Sequence, residues 1–205
     1  VQKKILIIAD DIYEKFVYDE IVFTSIASLG KEVQDQTMVI NGVSKTYSMT
    51  GWRIGYAAGP PELIAEMGKV QTQNVSNPVS FCQRAAIEAL AGPQDSVREM
   101  IMEFDRRRRY IVGRLNAMAG ITCSLPQGAF YVFPNITGLY GRKWGEKKLS
   151  NSAEVTDFLL EEARVAVVAG SGFGDDKYIR FAYATSMKNI EKGMDWIQEA
   201  LKKLK

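Results

Sequence analysis

The chain alternates short apolar runs with longer stretches of helical period. Lys4-Ile-Leu-Ile-Ile-Ala9 is a continuous apolar run of strand length, the pattern of a strand buried on both faces. Asp10-Asp-Ile-Tyr13 follows at once, and polar groups at the C-terminal end of a strand lie where open α/β sheets bind ligands. A loop and a short helix are expected around residues 25–29, ended by Gly30. Residues 37–41 and 52–58 read as two more strands, the second closed by Gly59-Pro-Pro61.

Beyond Pro61 the period changes. Leu63, Ile64, Met67 and Val70 recur at three- and four-residue intervals, predicting a helix over 62–73 with one buried face. Asn77-Pro78 breaks it, and Ser80 is the expected N-cap of a helix over 81–90 that Gly92-Pro93 stops. Residues 96–118 form the longest helical stretch. Strands are expected at 121–125, 129–133, 165–168 and 178–183, helices at 153–162 and 188–204, and a loop at Gly170-Ser-Gly-Phe-Gly174. This order describes an α/β chain: the edge of a larger mixed sheet, then a small α+β domain.

Composition narrows the chemistry. The 205 residues are 46% hydrophobic and 24% charged, ordinary for a globular protein. A net charge of +2 gives no argument for nucleic acid or a membrane surface. The arginine run 106–109 points all round a helix and has Glu99, Glu103 and Asp105 within a turn, so paired surface charges are expected. No apolar run approaches the ~20 residues of a membrane span and no signal-peptide pattern opens the chain, so a cytoplasmic location is expected. Cys82 and Cys123 are far apart in apolar contexts and read as two reduced structural thiols. The chain has no histidine, which excludes Ser-His-Asp and Cys-His mechanisms and the usual zinc hydrolase sites within it.

One lysine stands out. Lys45 lies between an apolar run and a glycine-punctuated turn, with Arg53 eight residues on. A lysine at a buried strand end is costly unless paired, deprotonated or covalently used. An arginine fork suits phosphate. Together they suggest a lysine that forms a Schiff base with a phosphorylated aldehyde; taken alone, such a lysine is more often solvated.

The segment Asn41-Gly-Val-Ser-Lys-Thr-Tyr-Ser-Met-Thr-Gly-Trp-Arg-Ile-Gly-Tyr56 resembles the cofactor-lysine segment of class I and II aminotransferases, the fold type I pyridoxal phosphate enzymes. The bacterial aspartate aminotransferase subgroup is the nearest likeness. Ala9-Asp-Asp-Ile-Tyr-Glu14, Gln127-Gly-Ala-Phe-Tyr131 and Tyr178-Ile-Arg-Phe-Ala-Tyr-Ala-Thr-Ser186 extend it across the chain. The resemblance implies that Lys45 holds pyridoxal 5′-phosphate and shuttles the α-proton. Asp10 would pair with the pyridine nitrogen, with Asp11 an ordinary strand-end carboxylate. Tyr13 would donate to the ring's phenolic oxygen, Arg53 clamp the phosphate and Arg180 grip the substrate carboxylate.

The same likeness makes residues 1–78 the last part of the cofactor-binding large domain and 79–205 the small C-terminal domain. It implies amino acid and 2-oxo acid substrates, aspartate-like favoured, and a homodimer. Relatives run to about twice this length, so the chain resembles the C-terminal half of such an enzyme and is expected to be inactive alone. Two departures stand out: Gly42 where many members carry a hydroxyl for the phosphate, and Ala169 where a proline is common. Ser44 or backbone amides would replace that hydroxyl. A C–S lyase or cyclising relative would carry the same residues, and a non-catalytic truncated module is the remaining alternative. Tyr47 and Trp52 read as packing residues, and the 170–174 loop lacks the lysine of a phosphate loop.

Overall fold

The computed structural model describes residues 3–205. The chain divides into two compact units, Val1–Ile101 and Met102–Lys205. In the first, strand β1 (Ile7–Asp10) precedes a short helix α1 (Lys31–Gln34), then strands β2 (Thr37–Gly42) and β3 (Gly55–Ala58). Helices α2 (Pro61–Val75) and α3 (Ser80–Ala91) follow, and the long helix α4 (Asp95–Asn116) contains the division. β1 pairs with β2 in parallel, Asp10 opposite Ile40, and β2 pairs with β3 antiparallel, Gly42 opposite Gly55.

Three expectations for this unit change. Residues 4–9 were expected to be buried on both faces, but Ile5 and Ile8 are 63% and 70% exposed. β1 has a neighbour on one side alone among the described residues, and its faces lack the covering layers that make such a strand hydrophobic. α2 forms with its apolar stripe in place but buries no residue, for the same reason. Ser80 is the first residue of α3 and caps nothing; the N-cap is Val79, without a side-chain bond. A small core exists where Val43, Ile54, Cys82 and Ala86 pack together under Tyr47 and Met49.

The second unit contains β4 (Tyr131–Val132), the hairpin β5 (Lys143–Trp144) and β6 (Lys147–Lys148), and helix α5 (Ser152–Ala163). Strands β7 (Val168–Ala169) and β8 (Ile179–Ala182) and helix α6 (Met187–Leu201) complete it. The sheet order is β4-β8-β7, antiparallel throughout. Leu115, Leu149, Val155, Phe158, Leu159, Ile179 and Ile197 make a core with almost no solvent access. α5 packs on α6, and each helix has a true cap: Asn151 accepts from the Glu154 amide at 2.9 Å, Ser186 from the Asn189 amide at 3.3 Å.

No strand forms at 121–125, where Thr122 makes only an isolated bridge to Asn135. The Asn116 side chain takes both backbone groups of Cys123, at 2.8 and 2.9 Å, and so does the work of a neighbouring strand. The β5–β6 hairpin was not anticipated; its turn places Gly145 at φ 60°, the left-handed region glycine tolerates. Cys82 and Cys123 are both free and buried, and burial pushes the Cys123 thiol up to about 11.

The arginine run is fully engaged. Glu103 accepts from Arg106 and Arg107, and Asp105 from Arg108 and Arg109. Arg108 is completely buried and also donates to the Pro126 carbonyl at 2.6 Å, tying α4 to the loop before β4. Replacing Arg108 by Met should lower stability by about 3 kcal/mol in urea titrations, because it leaves the Pro126 carbonyl without its donor and Asp105 with Arg109 alone. Hydrogen bonds from Arg106 and Arg107 hold the Glu103 carboxyl down to about 2, against an ordinary 4.5. Its contribution is therefore present above the ordinary value and lost as pH falls from there toward 2. The Glu103→Gln variant should be less stable at neutral pH and lose less stability on acidification, read from urea midpoints at a series of pH values.

Candidate active site

Strand direction decides where the candidate residues of the first unit meet. β1 and β2 run in parallel, so Asp10, Gly42 and the loop carrying Lys45 all lie at one end of the sheet. β3 runs the other way and starts at Gly55, so the turn carrying Arg53 reaches that same end. Antiparallel closure over a twelve-residue connection (43–54) keeps the lysine and the arginine at one end of the sheet.

Lys45 is half-buried in a tight turn: the Tyr47 amide donates to the Val43 carbonyl at 3.3 Å and the Ser48 amide to Lys45 itself at 3.2 Å. Its Nζ lies 5.9 Å from the centroid of the Tyr13 ring, which packs edge-on against buried Phe16. Asp10 is exposed and accepts from the Ile12 amide at 3.3 Å. Asp11 is taken by the Ser25 hydroxyl at 2.7 Å, leaving Asp10 as the carboxylate directed by the strand end. Lys45 and Tyr13 are thus in direct contact, and Asp10 sits three residues before Tyr13.

Arg53 has left-handed backbone, φ 55° and ψ 44°, and donates one Nη1 bond to the Thr50 carbonyl at 2.8 Å. The bond fixes the guanidinium within its own turn and leaves further N–H groups facing solvent. Beside it lies a cavity of about 900 Å³ lined by Ser48, Gly51, Trp52, Gly55 and Phe81 among others. Trp52 and Phe81 meet edge-to-face at 6.5 Å across its apolar wall. Tyr47 packs on the small core and donates to Gln94 at 3.1 Å; burial, then nearby Glu14, raises its phenol above the ordinary value.

Gly42 has a steric cause. A Cβ there would lie 2.9 Å from the Ile54 carbonyl and 3.1 Å from the Gly55 Cα, where β2 and β3 approach most closely. A side chain has no room here.

Arg180 belongs to the second unit, half-buried on β8. Its guanidinium lies over two aromatic rings, 4.5 Å from the Tyr131 centroid and 4.6 Å from that of Phe173. No carboxylate among the described residues pairs with it. Aromatic faces hold the cation in place while leaving its N–H fork free to bind a planar anion. Phe173 was not anticipated; the signal was an aromatic residue embedded in a glycine-rich loop. Gly170 in that loop lets the Tyr178 and Asp175 carbonyls approach where a Cβ would collide with both, a packing role rather than a phosphate one.

A mixed sheet with a lysine, a carboxylate and an arginine at one end belongs to an α/β protein. More specifically, the chain belongs to the class I and II aminotransferases, whose family model matches residues 1–197. It is 45% identical over 196 residues to an aspartate/prephenate aminotransferase of Cereibacter sphaeroides, covering 95% of this chain and 49% of that protein. The crystal structure of the aspartate aminotransferase from Rhizobium meliloti superposes with a TM-score of 0.94 at 43% identity, over 98% of this chain and 50% of that one. An aromatic aminotransferase from Pyrococcus horikoshii gives 0.87 at 40% identity, over 98% and 52%.

These likenesses establish the fold type I architecture. The chain spans about half the length of the curated relatives it matches. The family depends on pyridoxal phosphate in general, acts on amino acids and oxo acids, and is typically dimeric. Among the described residues, no helix is long and apolar enough to cross a membrane and no acidic, cysteine or histidine cluster could hold a metal ion.

Substituting Gly42 by Ala tests the close approach of β2 and β3. Urea unfolding should show a loss of about 1–3 kcal/mol, because the obstructing atoms are backbone and cannot rotate away.

Proposed function

We propose that this chain carries the catalytic lysine and the substrate arginine of an amino-acid aminotransferase. The observation that carries the reading is the contact between Lys45 and Tyr13 at the sheet end where Asp10 and Arg53 also emerge. The donor set fits pyridoxal 5′-phosphate: a half-buried amine, a carboxylate, a phenol, and an arginine with N–H groups to spare. When bound, that cofactor supplies an aldehyde that captures amines and a ring that draws electrons from the α-carbon.

The residues divide the remaining work. Lys45 would present the amine that holds the aldehyde, and its free Nζ would be the base that takes the substrate's α-proton and the acid that gives it back. The Asp10 carboxylate would keep the cofactor's ring nitrogen protonated. The Tyr13 hydroxyl would donate to the cofactor, and the free N–H groups of Arg53 would bind its phosphate as a charge-assisted fork. Arg180 grips the substrate carboxylate, with Tyr131 and Phe173 keeping the guanidinium oriented.

An aspartate-like substrate and a 2-oxo acid acceptor are supported by the names of the similar proteins, which include aspartate/prephenate and aspartate aminotransferases. We assign residues 1–78 to the cofactor-binding part and 79–205 to the small domain, within a cytoplasmic homodimer. The share of its relatives that the chain spans supports a part of a larger enzyme that does not turn over by itself.

In a full-length enzyme containing this chain, borohydride reduction with cofactor present should fix the pyridoxyl group on the Lys45 peptide. Lys45→Ala should lower acceptor-dependent turnover by about 10⁴-fold or more. The 205-residue chain alone should give no measurable turnover. Labelling of another lysine, or product formation independent of an oxo acid, would sink the assignment.

A further inference from the structure

A second cavity lies in the Met102–Lys205 unit, between the C-terminal end of α5, strand β8 and the first half of α6. It holds about 330 Å³ and continues into a hollow of about 190 Å³ against Trp196. Its floor is apolar: Ile111, Phe181 and Met194 are each less than 5% exposed. Its rim carries two cations, Arg164 and Lys192, and the half-exposed indole of Trp196. No carboxylate lines the larger cavity, and Glu162 lines the smaller hollow beside Arg164.

The charge of that rim is not cancelled from nearby. Arg164 makes no ion pair or side-chain hydrogen bond among the described residues. The Lys192 ammonium lies 4.5 Å from the Trp196 ring centroid, over its face. Of the nearby acids, Glu162 and Asp195 are occupied elsewhere, while Glu161 and Glu191 are exposed and make no ion pair among the described residues. Glu162 accepts from Lys203 at 2.5 Å and from the Trp144 indole at 3.0 Å, and Asp195 from Arg114 at 2.7 Å. Those bonds hold the Glu162 carboxyl below its ordinary value, so it stays committed as an anion to its own partners.

Volume, floor and rim together specify a ligand. A cavity of this size accepts a single ring, the apolar floor favours one without polar substituents, and the indole offers a stacking face. Two exposed cations on the same rim, neither in an ion pair, favour an anion, and a guanidinium fork matches a carboxylate best. We propose that this cavity is a binding site for small aromatic carboxylates, separate from the residues assigned to amino transfer. A simpler role exists for Arg164, which follows the carbonyl end of α5 and complements its dipole. That role needs neither the cavity nor Lys192 and Trp196, and predicts no ligand.

The experiment is a titration of the 205-residue chain, without cofactor, with 3-phenylpropionate, observed at the Trp196 indole N–H by NMR and assigned with Trp196→Phe. A saturable shift with Kd in the range of about 0.1–5 mM is expected. The neutral 3-phenylpropanamide, and Arg164→Gln with the acid, should each bind about tenfold more weakly or worse. Gly193→Leu should abolish binding while folding normally. A Cβ at Gly193 meets only the Val165 Cγ2 at 3.7 Å, so the leucine fills the cavity from a helix position it favours. No saturable Trp196 shift, equal binding of acid and amide, or unchanged binding by a folded Gly193→Leu variant would each overturn the site. Because no cofactor is present, none of these outcomes bears on the role of Lys45.

Discussion

The parallel pairing of β1 with β2, closed by antiparallel β3, is the constraint on which the candidate site rests. Parallel pairing aligns the C-terminal ends of two strands, and Asp10 and Gly42 are the residues at those ends. Reversal at β3 then returns the chain to the same end from the opposite direction. Lys45 leaves this edge and Arg53 arrives at it, so both residues lie at one end of the sheet. The close approach at Gly42 and Gly55 fixes that geometry, because the strand pair leaves no space for a side chain there.

The other unit solves a different problem, how to keep a cation half-buried and still available. Arg180 has two aromatic faces and no carboxylate partner among the described residues, while Arg108 has a carboxylate, a carbonyl and no solvent at all. The first arrangement orients a charge without neutralising it; the second consumes its hydrogen-bonding capacity in holding a loop. The loop Arg108 ties down leads directly into Tyr131, one of the two rings over Arg180, and the Tyr183 hydroxyl reinforces it by donating to the Ala129 carbonyl at 2.9 Å. A structural arginine and an available one are therefore linked through five residues of backbone.

Much of this was legible in residue order. The helices at 62–73, 81–90, 96–118, 153–162 and 188–204 all form within a few residues of expectation, because a 3.6-residue period is a local property. Burial was less legible. The apolar run of β1 and the stripe of α2 predict packed faces, yet both are open, since burial depends on a covering layer and not on the sequence that asks for one. The missing strand at 121–125 has the same kind of cause: one asparagine side chain in α4 satisfied the backbone that a strand partner would have taken.

The sequence by itself determined the family and the exclusion of histidine chemistry, and it nominated the lysine, carboxylate, phenol and arginines, because motifs and composition are carried by residue order alone. Tertiary structure decided which of two adjacent carboxylates was claimed by a serine, why position 42 is glycine, and that Phe173 shares Arg180 with Tyr131. It also decided that the unneutralised cations Arg164 and Lys192 meet an indole over an apolar floor. Each of these is a distance between atoms remote in the chain, fixed by strand register and helix packing rather than by any neighbouring residue.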